Sequence, residues 1–329
     1  MNKKLLALAV GTAFSATPMF ASAEVTVYGH AQVEVGTVDN GSTDQTVVED
    51  NARGRIGFKA SEKLGNGLTA IAKYEFKADT TDNVTGGNSS NAALTAREAF
   101  VGLKGGFGTV QLGNLKSAYK YTGGVKYDPF VATLIEARGA NGMSRGELGN
   151  GSFGHNSFLT NSIGYMSPKI GGGFTGWATF NVDENGDGKG MDGDYSFGLK
   201  FAQKAFEVFV AGVNNDDAAG GDAIKFGGMY KFGNFKVVGQ YEQLSFATSG
   251  TPDMDIYFVG GQAKFGNNVL VAQFGNKDPG GTASDLDYFT IGLIHNLSKK
   301  TRLTAGFRSY EANATTDVDT FAVGMRMKF

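Results

Sequence analysis

From Val25 onward the chain repeats one theme: nine to twelve residues alternating apolar and polar, then a turn or loop. Alternation of period two puts successive side chains on opposite faces of a strand. Val25, Val27, Ala31, Val33 and Val35 share one face, and Thr26, His30, Gln32 and Glu34 the other. Next, Ile56, Phe58 and Ala60 oppose Arg53, Arg55 and Lys59; then Leu68, Ala70, Ala72, Tyr74 and Phe76 oppose Lys73, Glu75 and Lys77. Further strands are predicted at 97–104, 108–115, 156–166, 174–182, 194–201, 206–214 and 224–232, and at 235–244, 254–265, 268–275, 286–297, 301–311 and 318–329. With the first three this makes sixteen. Short turns alternate with longer connections at 36–51, 78–96, 116–155, 183–193, 215–223, 245–253, 276–285 and 312–317, the habit of an antiparallel barrel in an outer membrane. The predicted fold class is all-β: a 16-stranded antiparallel transmembrane β-barrel.

Closure follows from solvation. A strand edge in lipid leaves N–H and C=O groups unpaired, so only helices and closed barrels span a bilayer. A soluble sandwich or propeller would bury one apolar face in a core. Here the second face is too rich in Arg, Lys, Glu, Gln and Thr, and a water-filled interior accounts for it.

Composition narrows the field further. The 329 residues include 50 Gly and 26 Phe but 5 Pro and no Cys, which excludes collagen, a disulfide scaffold and a thiolate metal site. With 30 basic and 32 acidic side chains, nucleic acid is not an expected partner. Residues 1–23 read as a signal peptide: Lys3 and Lys4, an apolar stretch, then Ala21-Ser22-Ala23, with cleavage expected after Ala23. Residues 24–329 would form the barrel, about 19 residues per strand with its share of connection, against a ~9–11-residue span.

Several segments resemble Gram-negative trimeric porins of the neisserial and burkholderial type. They are Arg53-Gly-Arg-Ile-Gly-Phe-Lys-Ala60 with Glu62-Lys-Leu-Gly-Asn-Gly-Leu68, Val25-Thr-Val-Tyr-Gly29, Arg97-Glu-Ala-Phe-Val-Gly-Leu-Lys104 with Gly105-Gly-Phe-Gly-Thr-Val110, Tyr127-Asp-Pro-Phe130, and Asn161-Ser-Ile163 with Tyr165. The alternating end, Phe321 to Phe329, resembles the signal read by the outer-membrane insertion machinery. The resemblance implies a general diffusion porin: a water-filled outer-membrane channel for small hydrophilic solutes and ions, usually a homotrimer in contact with membrane lipid and lipopolysaccharide. It also implies that the third external loop folds into the lumen. Independently, 116–155 is the longest connection, and long structureless loops are usually functional.

Permeation depends on pore radius and on charges at the narrowest section. The resemblance implies a basic wall facing an acidic loop, with Arg55 and Arg97 at the matching wall positions. Arg53, Lys59, Lys73 and Lys77 share inward faces by alternation. The loop carries Asp128, Glu136 and Glu147, but also Lys116, Lys120, Lys126, Arg138 and Arg145. Phe158, Gly164, Gln111 and Asn114 stand where relatives often carry bases, so a mild anion preference is expected, with mutual pairing of these charges the competing outcome.

In the fourth loop, Asp183, Asn185 and Asp187 occupy positions 1, 3 and 5 of a calcium-type loop, with Gly188 at 6 and Asp194 at 12. Asp, Asn and Gly are also ordinary loop residues. No other cofactor is expected. A barrel enzyme is the competing class, but His30, His155 and His295 are scattered without a motif, and no catalytic residue is expected. A substrate-specific channel would differ only in a few loop side chains. Trp177 and Tyr28, Tyr74, Tyr165, Tyr195, Tyr230, Tyr257 and Tyr310 fit interfacial aromatic girdles or plain β-propensity.

Overall fold

The computed structural model describes residues 23–50, 54–81, 94–148, 158–182, 195–215 and 220–329. Among these, strands β1 (Glu24–Asp39), β2 (Asp44–Glu49), β3 (Arg55–Gly65), β4 (Leu68–Ala78), β5 (Leu94–Gly105) and β6 (Gly108–Lys116) precede one long connection. After it come β7 (Phe158–Met166), β8 (Phe174–Asn181), β9 (Tyr195–Ala202), β10 (Phe206–Asn215), β11 (Gly221–Phe232) and β12 (Phe235–Phe246). The set ends with β13 (Met254–Phe265), β14 (Asn268–Asp278), β15 (Leu286–Asn296), β16 (Thr301–Asn313) and β17 (Thr316–Lys328). No helix among the described residues is long and apolar enough to cross a membrane. This says nothing of strands, the elements with which a closed barrel crosses.

These seventeen segments occupy sixteen wall positions. β3 pairs with the first half of β1, from Glu24↔Ser61 to His30↔Arg55, while β2 pairs with the second half, from Glu34↔Glu49 to Asp39↔Asp44. β2 and β3 are thus one wall strand in two pieces. The 36–51 connection expected from the sequence is corrected accordingly: β1 continues to Asp39, and only residues 40–43 turn. The expected 312–317 loop is likewise short, since Asn313 already pairs with Thr316. Every other neighbour in the wall is antiparallel and, apart from β1 with β17, next in sequence.

Closure is made by the first and last strands. β1 pairs with β17 from His30↔Lys328 to Asp39↔Asp319. Beyond this ladder the Phe329 amide donates to the Gly29 carbonyl at 3.1 Å, and the Gly29 amide donates back at 3.3 Å. Phe329 therefore belongs to the seam, and among the described residues no strand edge remains in the apolar belt.

Alternation sorts the two faces. Val259, Phe274 and Phe289, cross-strand neighbours on β13, β14 and β15, are exposed on the outside. Gln273, Thr290 and Thr320 on the same strands or β17 are buried inside. At the β3–β4 turn, Gly65, Asn66 and Gly67 all take positive φ (85°, 49° and 76°). Two glycines flanking an Asn meet that demand without Cβ strain at two of the three positions.

Candidate functional site

The connection between β6 and β7 begins with a short helix, α1 (Ala118–Thr122), followed by a 3-10 turn at Val125–Tyr127. Ser117 caps α1, its hydroxyl accepting from the Lys120 amide at 3.1 Å. From there to Leu148 the chain makes little regular structure of its own, so its polar backbone needs partners elsewhere. The inward-facing side chains of the wall supply them.

The anchors run around much of the barrel. The Ala118 amide donates to Thr179 Oγ1 at 2.9 Å and Ser196 Oγ at 2.7 Å, on β8 and β9. Tyr127 donates to Glu207 of β10 at 2.9 Å, and Tyr119 to Glu242 of β12 at 2.9 Å, where Ser144 also donates. Arg308 of β16 reaches the Glu136 carbonyl at 3.3 Å. Arg326 of β17 reaches the carbonyls of Val131 and Ala132 at 3.0 and 3.1 Å. The Leu134 amide donates to Glu34 of β1 at 2.7 Å.

Apolar packing reinforces these bonds. Tyr127, Ala137, Ala140 and Met143 pack with wall residues Phe209, Val238, Phe258 and Tyr288. Phe130 and Ile135 pack with Val271, Ile294 and Ala322. The inner face is therefore not uniformly polar, as alternation alone had suggested: from β10 to β17 it holds apolar residues that the segment covers. Gly292 and Gly306 permit this approach. A Cβ on either would stand 2.8 Å from Phe130 Cζ or 2.6 Å from Ile135 Cδ1, below contact distance.

The acids and bases divide the work. Asp128 and Glu136, expected to line a passage, are buried. Asp128 accepts from the Phe130 and Ala137 amides, each at 2.8 Å, and from Gln273 at 3.0 Å; Glu136 accepts from the Ala132 amide at 2.7 Å. Glu147 accepts from the Arg145 and Gly146 amides at 2.7 and 2.9 Å. All three carboxylates bond the segment's own backbone. Arg138 is also buried, 3.8 Å from Glu136, whereas Arg145 is exposed.

The expected basic wall stands on β3–β5, with two acids threaded through it. Lys73 pairs with Glu98 and lies 3.3 Å from Glu75; Arg97 Nε lies 3.1 Å from Glu75; Lys116 lies 3.0 Å from Glu98. Lys77 pairs with Asp79 at 2.9 Å. Lys59 is exposed and holds its ammonium 4.3 Å from the Tyr28 ring centre. Lys120 lies over Phe158 at 4.6 Å, and Lys126, also exposed, pairs with Glu207. Arg55 sits among them on β3.

Glu98 escapes strict alternation because the β4–β5 register shifts at Glu75/Phe76, leaving Arg97 as the extra residue of a bulge. A bulge turns adjacent side chains toward one face, so Arg97 and Glu98 both meet inward-facing groups. Three further bases, Arg302, Arg308 and Arg326, also face inward, where the alternation of β16 and β17 places them. Arg302 and Arg326 border a small cavity with Gln32 and Glu34. The girdle assignment is corrected for three aromatics. Tyr28 donates to Glu75 at 2.8 Å, Tyr310 lies under Arg308, and Trp177 faces Tyr121, all on the inner side. Tyr74, Tyr165, Tyr195, Tyr230 and Tyr257 are exposed outside.

Arg53, the calcium-type set Asp183, Asn185, Asp187 and Asp194, and residues 1–22 lie outside the described residues. Among the described residues no group of three or more His, Asp or Glu is placed to hold a metal ion.

Residues 7–315 match a family described as Gram-negative porin. The major outer membrane protein P.IB of Neisseria lactamica is 28% identical, covering 100% of both chains. Outer membrane porin protein 32 of Delftia acidovorans is 29% identical over 92% of this chain and 88% of its own. An anion-selective porin from Comamonas acidovorans has a similar fold, with a TM-score of 0.77 at 23% identity over 94% of this chain and 100% of its own.

Asp128 gives the buried segment a pH signature. Burial pushes its carboxyl up to about 6, although two amides and Gln273 donate to it. An unfolded Asp titrates near ~3.9. Its contribution to docking is therefore full below about pH 4 and is lost as pH rises through about 6, a change of about 3 kcal/mol. Hydrogen exchange at the Phe130 and Ala137 amides, corrected for intrinsic rate, should speed up across that window, and Asp128→Asn should flatten the slope. An equal slope in the variant contradicts this.

Proposed function

The chain belongs to the Gram-negative porin family, and we propose that it conducts as a general diffusion pore with a mild preference for anions. As a family member it is an outer-membrane channel protein rather than an enzyme. The proposal adds how this chain sorts its solutes. Segment 117–148 narrows the water-filled interior, and ions pass between it and the arc of β3–β6.

One observation carries the preference: the segment's carboxylates are spent on backbone amides, while several bases remain open to water. Lys59 and Arg145 are exposed, and Lys126, exposed too, shares its charge with Glu207, whereas Asp128 and Glu136 are buried. Glu75 and Glu98 offset part of the wall's positive charge through Lys73, Arg97 and Lys116, and paired charges project little field. The residual potential is positive and modest. Selectivity for anions in the Comamonas porin belongs to that protein; here the argument rests on this chain's own charges.

The same proposal includes export by residues 1–23 with cleavage after Ala23, insertion guided by the Phe329 end, and a homotrimer embedded in lipid and lipopolysaccharide. On mild gels the protein should run as an oligomer that heat dissociates; a monomer at every temperature contradicts the trimer. In the fourth loop, calcium-type spacing competes with ordinary turn composition. Calorimetric titration with Ca²⁺ decides between them: heat lost in Asp187→Ala supports a site, and identical traces remove it.

Reversal potentials in a KCl gradient test the central reading. Chloride should permeate a few-fold better than potassium, and Lys59→Glu with Lys126→Glu should shift the potential toward potassium. Clear cation selectivity in the unmodified protein overturns the proposal.

A further inference from the structure

Beneath α1, between it and the inner faces of β3–β8, lies a cavity of about 210 Å³. Its lining joins two kinds of group. Lys59, Lys73 and Lys116 supply positive charge; Phe100, Tyr121 and Trp177 supply ring faces. Glu98 is the carboxylate in the lining, and Lys73 and Lys116 already hold it.

The rings form a corner. Tyr121, on α1, and Trp177, on β8, have centroids 5.9 Å apart and planes inclined at 49°. Tyr121 remains 49% exposed, so its face is open to a solute. Cations border both rings: Lys116 Nζ lies 5.7 Å from the Tyr121 centre and Lys200 Nζ 4.8 Å from that of Trp177. Trp177 Nε1 is buried and donates to no group among the described residues. Indole N–H groups in such positions normally find an acceptor.

From this we infer a solute subsite for small planar aromatic carboxylates, of the size and charge of benzoate. The inference rests on the channel reading above and names a substrate class for it. Each simpler solute uses half of the lining. An inorganic anion is drawn by the lysines but gains nothing from the rings, and a neutral aromatic gains the rings but not the charge. A sugar needs many free hydrogen-bonding groups, yet Thr179 is engaged with Ala118 and Ser196, and Glu98 with two lysines. An aryl carboxylate sets its ring in the Tyr121–Trp177 corner and its oxygens toward Lys59 and Lys116. Size agrees, since a cavity of about 150 Å³ admits benzene. The subsite is weak by construction, because a channel must release what it binds.

Trp177 is the sole tryptophan of the chain, so its fluorescence reports on this cavity alone. The experiment titrates the purified full-length channel in detergent with 4-nitrobenzoate, a quencher, beside neutral 4-nitrobenzyl alcohol. Quenching by the acid should saturate, and benzoate but not acetate should relieve it. In Lys59→Gln, which alters an exposed lysine, and in Lys116→Gln, the midpoint should rise about tenfold, the scale of one lost charge-assisted hydrogen bond. Chloride conductance of each preparation verifies an open pore. Non-saturating quenching that is equal for acid and alcohol, or midpoints unmoved in both variants, overturns the subsite while a conducting pore leaves the channel reading standing. A preparation that folds but conducts no ions overturns both.

Discussion

A backbone amide in hydrocarbon has no water to turn to, and this constraint governs the whole molecule. Each unpaired N–H or C=O in the apolar belt costs several kcal/mol, so the ladder must close on itself. β17 returning to β1 achieves that, and the bonds between Phe329 and Gly29 carry the seam to the last residue. Closure fixes register, register fixes which residues face lipid, and the remaining face becomes the wall of an enclosed space. The excess of Phe and Val outside and of charged groups inside follows from that order of causes.

An enclosed space sixteen strands around is wide, and the segment after β6 docks on inward-facing side chains of its wall. Its docking resembles a small protein core laid on one arc of the wall: aromatic and aliphatic residues against β10–β17, with glycines at two of the closest approaches. Carboxylates do the polar part. Glu34, Glu207 and Glu242 reach from the wall to the segment, while Asp128, Glu136 and Glu147 bond the segment's own amides. A buried carboxylate is tolerable only when donors surround it, so an acid used as an anchor is withdrawn from the passage. The bases left toward water then set the sign of the field, although the chain as a whole carries a net charge of −2.

Much of this was legible beforehand. Period-two alternation located the wall strands and the outward residues because lipid and water impose opposite demands on adjacent positions. The same rule applied to β16 and β17 identifies Arg302, Arg308 and Arg326 as inward. What stayed hidden depends on contacts between distant residues. The bulge that brings Arg97 and Glu98 to one face is a matter of register with β4. Ile256 and Phe258 look like irregular wall residues until the segment covers them. Trp177 resembles a membrane-interface aromatic by composition, and only its place opposite Tyr121 turns it inward.

The sign of the potential at the wall can be read with a charged reagent at one position. The chain has no Cys, so Gln111→Cys on β6 introduces a single thiol beside the cavity that Lys59 and Lys116 also line. Reaction rates with anionic and cationic thiosulfonates of similar size, at low and high salt, sample the water and the field there together. The account predicts faster reaction with the anionic reagent and a difference that salt erases. A thiol that neither reagent reaches, or one that the cationic reagent modifies faster, would contradict it.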